Sequence, residues 1–197
     1  TSPPAAARGE NLPSLRPTAE RSPLDRALLR CALASISALY KRYFNLRGTD
    51  VEGTLPDSGP YILAANHSSH LDVGAIMAAV TARRGRAEAE RLHVLGARDY
   101  FFNKPLKSWF FSRFFNVVPI RREQTGLDGL RTAKSILAEG EPVLIFPEAT
   151  RSRSGKMQTF KPGLGLLAYE ANVPVIPACI LGTYQALPAG KVLPRAL

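Results

Sequence analysis

Histidine and cysteine are scarce in this sequence, since the 197-residue chain has three histidines and two cysteines. Cys31 and Cys179 lie far apart without metal-type spacing, which argues against a disulfide framework and favours a reduced compartment. No apolar run approaches the roughly 18 residues that a membrane-spanning helix needs, and no signal-peptide pattern occurs. At 197 residues, the chain is long enough for one globular domain with its own core.

Acidic residues are also few relative to basic ones. The chain has 16 Asp and Glu against 26 Lys and Arg, a formal net charge of +10. Such a surplus favours polyanions, anionic membranes or phosphorylated ligands, and charge alone does not choose among them.

The beginning of the chain is rich in proline, with five prolines in residues 1–23, and this predicts a disordered linker. Apolar residues then recur every three or four positions from 24 to 44. Four polar residues line the opposite side: Arg26, Arg30, Ser37 and Lys41. We expect residues 24–47 to form an amphipathic helix, either at a membrane interface or packed on its own domain.

Apolar runs and helical patterns alternate through the rest of the chain. Strands are predicted at 61–65, 92–96, 117–121, 143–146 and 175–181, and helices at 72–83, 105–115, 127–139 and 163–171. This alternation predicts an α/β fold, with a mixed, mostly parallel sheet and helices on both faces.

Aromatic residues concentrate at 100–115, where YFFNKPLKSWFFSRFF holds eight of the sixteen in the chain. Aromatic and basic residues together could stack on nucleic-acid bases, but no nucleic-acid-binding signature accompanies them, and we expect no nucleic-acid partner. Core packing and contact with a lipid headgroup layer are the remaining interpretations, and we favour a mixture of both.

The motif NHSSHLD follows the first predicted strand, at residues 66–72. Imidazole is an effective general base near neutral pH when a carboxylate holds its other nitrogen. Asp72 could hold the ring of His67 in this way, or it could simply cap the next helix. His67 and His70 have an HxxH spacing, but the rest of a zinc ligand set is missing, so we expect no metal site.

Basic clusters follow two later strands. FPEATRSRSGK, residues 146–156, groups arginines beside Glu148, and VVPIRR, residues 117–122, ends in Arg121 and Arg122. The planar guanidinium fork suits a phosphomonoester, although ion pairs in solvated loops would also explain these charges. Because ligands gather beyond the carboxyl ends of strands in such sheets, we expect these clusters and NHSSHLD to share one rim.

Four blocks, NHSSHLD, NVVPIRR, FPEATRS and VPVIP, in that order, resemble those of the glycerolipid acyltransferases related to 1-acylglycerol-3-phosphate acyltransferase. The likeness runs from about Gly53 to Leu181. It identifies 48–197 as an acyltransferase domain, which we expect to be truncated at its C-terminus. The proline-rich beginning would also suit a fused neighbouring domain.

The resemblance implies transfer of a fatty acyl group from acyl-CoA or acyl carrier protein to a lysophospholipid hydroxyl, most readily that of 1-acylglycerol-3-phosphate. His67 would be the base and Asp72 its orienting partner. Four residues would help to hold the acceptor's glycerol phosphate: Arg122, Glu148, Thr150 and Arg151. Lys161 is a weaker candidate for the same role. The thioester is already activated, so the implied reaction needs no cofactor.

Two positions depart from the family pattern. Ala149 and Asn116 stand where the family usually has glycine. A left-handed backbone at Ala149 would cost about 1–2 kcal/mol, whereas asparagine tolerates that conformation better.

The resemblance further implies a peripheral protein at the cytoplasmic face of the membrane, contacting lipid through 24–44 and 100–115. Two other functions remain open. One is a catalytically silent lipid-binding module, and the other is an acyl-thioester hydrolase in which the same base activates water.

Overall fold

The structure, a computed structural model, describes residues 22–47, 55–97, 116–120, 127–191 and 193–195, with the backbone alone at 97, 119, 120, 127 and 128. Three predicted features lie outside these residues. They are the aromatic stretch at 100–115 with its helix, the basic pair at 121–122, and all but the last two residues of the 1–23 linker.

Helices and strands alternate along the described residues, as the sequence predicts. In chain order they are α1 (Pro23–Tyr43), β1 (Ile62–Ala65), α2 (Asp72–Arg84), α3 (Arg86–Arg91), β2 (His93–Ala97), β3 (Val117–Ile120), α4 (Leu127–Ala138), β4 (Val143–Ile145), α5 (Gly163–Ala171), β5 (Val175–Ala178) and α6 (Thr183–Ala186). The sequence analysis predicts neither α3 nor α6, because both are too short to set up an apolar period.

The five strands form one sheet in the order β3-β2-β4-β1-β5, and every pairing among them is parallel. The predicted α/β fold is therefore confirmed. Antiparallel pairing occurs within the described residues only as an isolated bridge between Ser69 and Pro188. β1 and β4 are neighbours in space although far apart in sequence, so the loops that follow them leave the sheet side by side.

Apolar side chains fill both faces of the sheet, because successive strand residues point to opposite sides. In β1, Leu63 belongs to the core under α1 and α2, while Ile62 belongs to the core under α4 and α5. Both residues are buried, as strands covered on two faces require. Helices on both faces are confirmed.

Helix α1 begins at a defined cap, where the side chain of Ser22 accepts a hydrogen bond from the backbone N–H of Asp25 at 3.1 Å. Its buried side carries Leu29, Leu33, Ser37 and Tyr40 and packs on α2. Ser37 is thus buried rather than on the polar side expected from the sequence. Among the described residues, no helix combines the length and apolar character needed to span a membrane.

Candidate active site

The histidine and aspartate of NHSSHLD meet where β1 ends and α2 begins. The loop folds back so that Nδ1 of His67 lies 2.8 Å from Oδ2 of Asp72. His67 follows β1 by two residues, and Asp72 is the first residue of α2. The five-residue spacing therefore builds an imidazole–carboxylate pair rather than a simple polar turn.

Three donors converge on the same oxygen of Asp72. Besides the His67 ring, the backbone N–H groups of Ser68 and Ser69 donate to Oδ2 at 2.7 and 2.8 Å. Asp72 is fully buried, and Oδ1 has no hydrogen-bond partner within the part of the chain that the structure describes. A carboxylate accepts only, so it holds the proton on Nδ1 of His67 and leaves Nε2 as the acceptor.

The structure does not show Asp72 as the cap of helix α2. The N-cap position of α2 is occupied by Leu71, and no side chain makes a capping hydrogen bond there. The Asp72 carboxylate reaches back over the loop instead of satisfying the first turn of its own helix. An acidic group at this helix start still interacts favourably with the helix dipole.

Phe146 supports the ring of His67 from one side. The two rings are stacked, with centroids 4.1 Å apart and planes 19° from parallel. Phe146 directly follows β4, the neighbour of β1, and about a fifth of the His67 side chain stays exposed. The ring is therefore fixed by Asp72 and Phe146 while it remains open to solvent.

The loop after β4 also binds the backbone of His67. The N–H of His67 donates to Oε1 of Glu148 at 2.7 Å, and its carbonyl accepts from the N–H of Ser152 at 2.8 Å. Both peptide groups flanking the histidine are thus satisfied by the FPEATRS segment. The two motifs form one structural unit.

Glu148 is a buried carboxylate engaged at both oxygens. While Oε1 accepts from His67, Oε2 accepts from the backbone N–H and the side-chain amide of Gln158, at 3.0 and 3.2 Å. The residue is 2% exposed. Its oxygens accept hydrogen bonds from N–H groups of the protein, and these bonds offset the cost of burying a charged carboxylate.

The remaining polar residues of the loop lie nearer to solvent. Arg151, which is half-buried, donates from Nη1 to Nε2 of His70. Thr150 is exposed, and its backbone carbonyl accepts from the Gln158 amide at 3.1 Å. Lys161 is exposed too, and its N–H donates to the carbonyl of Pro147 at 2.8 Å. A basic, hydroxyl-bearing surface therefore adjoins the histidine.

The two departures from the family pattern both adopt the left-handed conformation. Ala149 has φ 61° and Asn116 has φ 51°. Asn116 is buried, and its side-chain amide donates to the carbonyls of Glu90 and Leu92 at 3.3 and 3.2 Å. The backbone is thus the one that glycine favours, with alanine strained and asparagine compensated.

Tyr40 of α1 lies against the carboxylate end of the site. Its hydroxyl donates to the carbonyl of Leu71 at 2.8 Å. Burial and, secondarily, the charge of Asp72 raise the pKa of the Tyr40 phenol above its ordinary value. Helix α1 therefore contributes a side chain to the surroundings of the imidazole–carboxylate pair.

This constellation can be compared with known proteins. A family model described as Acyltransferase matches residues 48–181. The chain belongs to the acyltransferase family. The resemblance drawn from the four sequence blocks is confirmed.

Relatives within the acyltransferase family have consistent names. A chloroplastic 1-acyl-sn-glycerol-3-phosphate acyltransferase of Brassica napus is 30% identical over 154 residues, covering 73% of this chain. The human 1-acyl-sn-glycerol-3-phosphate acyltransferase alpha is 29% identical over 187 residues, covering 93%. This chain spans 40% of the Brassica protein's length and 57% of the human protein's length.

A solved structure shares the fold. The crystal structure of the 1-acyl-sn-glycerophosphate acyltransferase PlsC from Thermotoga maritima is similar, with a TM-score of 0.62 and 27% sequence identity. The similarity covers 88% of this chain and 67% of that one. It agrees with the parallel sheet and its flanking helices.

The structure brings together most of the residues that the sequence singled out for this acyltransferase domain. His67 and Asp72 are bonded, and Glu148 and Arg151 contact the same loop through His67 and His70. Arg122, at the end of the second block, lies outside the described residues. The predicted common rim therefore exists for two of the three clusters.

Three contributors to the site escaped the sequence analysis: Phe146, Gln158 and Tyr40. Phe146 precedes Pro147 and Glu148 in the third block, so its place in the motif was a usable signal. Gln158 and Tyr40 belong to no recognisable spacing, because their contacts depend on a long loop and on helix packing.

Proposed function

We propose that this chain transfers a fatty acyl group from acyl-CoA or acyl carrier protein to the free hydroxyl of 1-acylglycerol-3-phosphate, forming phosphatidate. The observation that carries the proposal is the His67–Asp72 pair, held beside a basic loop in a chain of the acyltransferase family. The names of the relatives support the choice of acceptor.

In the proposed mechanism His67 acts as the general base. Its Nε2 takes the proton of the acceptor hydroxyl while that oxygen attacks the thioester carbonyl. The tetrahedral intermediate collapses, the carbon–sulfur bond breaks, and the thiolate takes the proton back from the imidazolium. Asp72 keeps the tautomer and stabilises the charged ring between these steps.

We assign the acceptor's phosphate to the basic residues of the rim. Arg151 and Arg122 would bind the phosphate through their guanidinium forks, Thr150 would add a hydroxyl, and Lys161 a further charge. Glu148 remains part of this prediction, but in a different role. Since both of its oxygens already accept hydrogen bonds, we propose that it supports the acceptor by fixing the loop that carries Arg151.

We also propose that the protein works at a membrane surface, as a peripheral protein on the cytoplasmic side. Helix α1 supports this, because Leu24, Leu39 and Tyr43 remain exposed at 65%, 53% and 44%. Basic residues Lys41 and Arg42 lie in its last turn. A helix that is docked by one side and leaves large apolar residues exposed among cations suits a headgroup interface.

The decisive experiment measures thiol release from palmitoyl-CoA with and without lysophosphatidate in mixed micelles. The wild-type chain should release thiol only with the acceptor. His67→Ala should lower kcat by about 10²–10⁴, and Asp72→Asn should lower it similarly, because the amide favours the wrong tautomer. Asp57→Asn changes the same chemical group at an exposed position and should retain full activity.

Each other result selects a different function. Thiol release that ignores the acceptor and disappears in His67→Ala would identify a thioester hydrolase. Absence of release with both palmitoyl-CoA and palmitoyl-acyl carrier protein, across a panel of lysolipids, would leave the silent lipid-binding module.

A further inference from the structure

An unusual surface loop follows the active-site motif, and we define it as residues 153–161. From Ala149 to Tyr169 the sequence contains four cations and no carboxylate. Three of the cations, Arg153, Lys156 and Lys161, lie in the loop and are exposed. None of the three forms an ion pair within the part of the chain that the structure describes.

Two large apolar side chains stand out of the same loop. Met157 is 60% exposed and Phe160 is 47% exposed. Cations flank them along the chain, in the order Lys156, Met157, Phe160, Lys161. The loop therefore presents two apolar side chains flanked by positive charge.

The loop is held firmly in this exposed arrangement. The backbone N–H of Gln158 donates to Glu148 at 3.0 Å, and the backbone N–H of Lys161 donates to the carbonyl of Pro147 at 2.8 Å. Near the start of the loop, the hydroxyl of Tyr184 donates to the carbonyl of Arg153 at 2.9 Å. Gly155, with φ 76°, packs so closely on Tyr184 that a Cβ would lie 2.7 Å from the ring. Met157 and Phe160 are thus kept in solvent by a fixed backbone.

The same hydrogen bonds also connect the loop to His67, the proposed base. Glu148 accepts from His67 through one oxygen and from Gln158 through the other. Met157 is the residue next to Gln158. Only one carboxylate therefore separates the apolar tip from the backbone of His67.

We propose that the 153–161 loop is a docking surface for an anionic lipid bilayer. Met157 and Phe160 insert among the acyl chains at the interface, and Arg153, Lys156 and Lys161 lie at the level of the lipid phosphates. The reason for such docking rests on the proposed function, because a lysophospholipid acceptor has to leave the bilayer close to His67. The docking itself is a physical property that can be measured without any turnover.

Charge and shape together favour lipid as the occupant. An excess of cations without carboxylates matches the uniformly negative headgroup layer of an anionic bilayer. Apolar side chains next to long cationic ones suit the boundary between acyl chains and water. An acidic carrier protein is the competing partner, and the test separates the two.

The test is sedimentation of the purified chain with vesicles of phosphatidylcholine and phosphatidylglycerol, and with phosphatidylcholine alone. Met157→Ser combined with Phe160→Ser should lower the partition constant on the order of tenfold. Arg153→Gln combined with Lys156→Gln should lower it about 25-fold on anionic vesicles, about fivefold for each charge. The charge variant should bind neutral vesicles like the wild type.

Matched controls change equivalent exposed residues elsewhere. Tyr169→Ser removes an aromatic side chain that is 86% exposed on α5, and Lys191→Gln removes an exposed charge. Both should bind vesicles like the wild type. Thermal unfolding of every variant should match the wild type, since the altered side chains are exposed.

Several results would overturn the proposal. Wild-type binding that is absent, or that all loop variants retain, would remove the loop as a lipid contact. Loop variants that keep vesicle binding but lose binding to immobilised acyl carrier protein would make that protein the partner. Loop-dependent vesicle binding by a chain without acyl transfer would support the docking and reject the proposed function, so the two failures are distinguishable.

Discussion

At the scale of single residues, a small number of atoms positions the imidazole of the candidate active site. Oδ2 of Asp72 receives the His67 ring and two backbone N–H groups, so one oxygen fixes both the imidazole and its loop. Phe146 and Glu148 hold the same histidine by its ring face and its backbone. If His67 is the base that we propose, an imidazole pre-positioned in this way would lose little entropy when an acceptor binds.

Ala149 provides a prediction at this scale. Its φ of 61° lies in the left-handed region, where the Cβ of an L-residue is strained by about 1–2 kcal/mol. We expect Ala149→Gly to raise the free energy of unfolding by about 1 kcal/mol, the relief of strain being partly offset by the freer unfolded chain. Urea unfolding followed by circular dichroism would measure the change.

The matched control makes the same chemical change in a helix. Ala34→Gly replaces an exposed alanine inside α1 and should lower the free energy of unfolding by about 1 kcal/mol. Opposite signs at the two positions are the expected result. Equal destabilisation at both would show that the backbone at residue 149 is not strained.

At the scale of elements, the contact between α1 and α2 joins helix α1 to the candidate active site. Leu29 and Leu33 of α1 are almost fully buried in the core that α1 shares with α2. Tyr40 continues it to the carbonyl of Leu71, the residue before Asp72. The packing of α1 therefore helps to position the start of α2. Asp72, the carboxylate that we propose orients His67, lies there.

Gly74 provides the prediction at this scale. A Cβ on this residue would lie 2.3 Å from the Tyr40 hydroxyl oxygen, so the two helices approach this closely only because residue 74 lacks one. We expect Gly74→Ala to lower the free energy of unfolding by about 1–3 kcal/mol, the usual cost of overpacking. Urea unfolding would measure this loss.

A double-mutant cycle supplies the control. Tyr40→Phe removes the hydroxyl oxygen, which is the nearest of three Tyr40 atoms that the new methyl group would meet, so the double variant should lose less than the sum of the two single variants. Ala79→Gly, on the same helix and away from this contact, should be additive with Tyr40→Phe. Strict additivity for the Gly74 pair would contradict the packing described.

At the scale of the whole molecule, two phenols are buried under the helices on one face of the sheet. Burial raises the pKa of Tyr40, with a smaller contribution from the charge of Asp72. Burial also raises the pKa of Tyr61, together with its hydrogen bond to Glu88. Both phenols therefore keep their protons above pH 10, where unfolded tyrosine loses its own.

We expect this difference to make the protein sensitive to alkali. Above pH 10 the unfolded chain binds fewer protons than the folded one, so the free energy of unfolding should fall as pH rises, by about 1.4 kcal/mol per pH unit for each phenol. Urea unfolding between about pH 9 and pH 11 would give the slope. Below pH 10 the two phenols should contribute no pH dependence.

Two phenylalanine variants check the assignment. Tyr61→Phe should make the slope shallower even though it removes a hydrogen bond and lowers the overall stability. Tyr169→Phe changes a phenol that is 86% exposed and should leave the slope unchanged. A slope that Tyr61→Phe does not alter would assign the alkaline loss of stability to other groups.

The fold was largely predictable because its signals are local. Apolar runs of strand length, helical periods and turn residues between them placed all five strands and the helices α1, α2, α4 and α5 within a few residues. The central strands β1 and β4 are covered on both faces, so their sequences read as continuous apolar runs. The short α3 carries no apolar period, and for that reason it was missed.

The sequence by itself determined that Asp72 lies within reach of His67, because only a short loop separates them, but it left pairing and helix capping both open. The family pattern, with its usual glycine, indicated a left-handed backbone at Ala149. Only the tertiary structure decided that Glu148 turns inward to His67 and Gln158, that Phe146 stacks on the imidazole, and which side of α1 is buried. The physical reason is that β1 and β4 are neighbours in space although about eighty residues separate them in the chain. No local period encodes the order of strands in a sheet, and contacts between neighbouring strands' loops build the candidate active site.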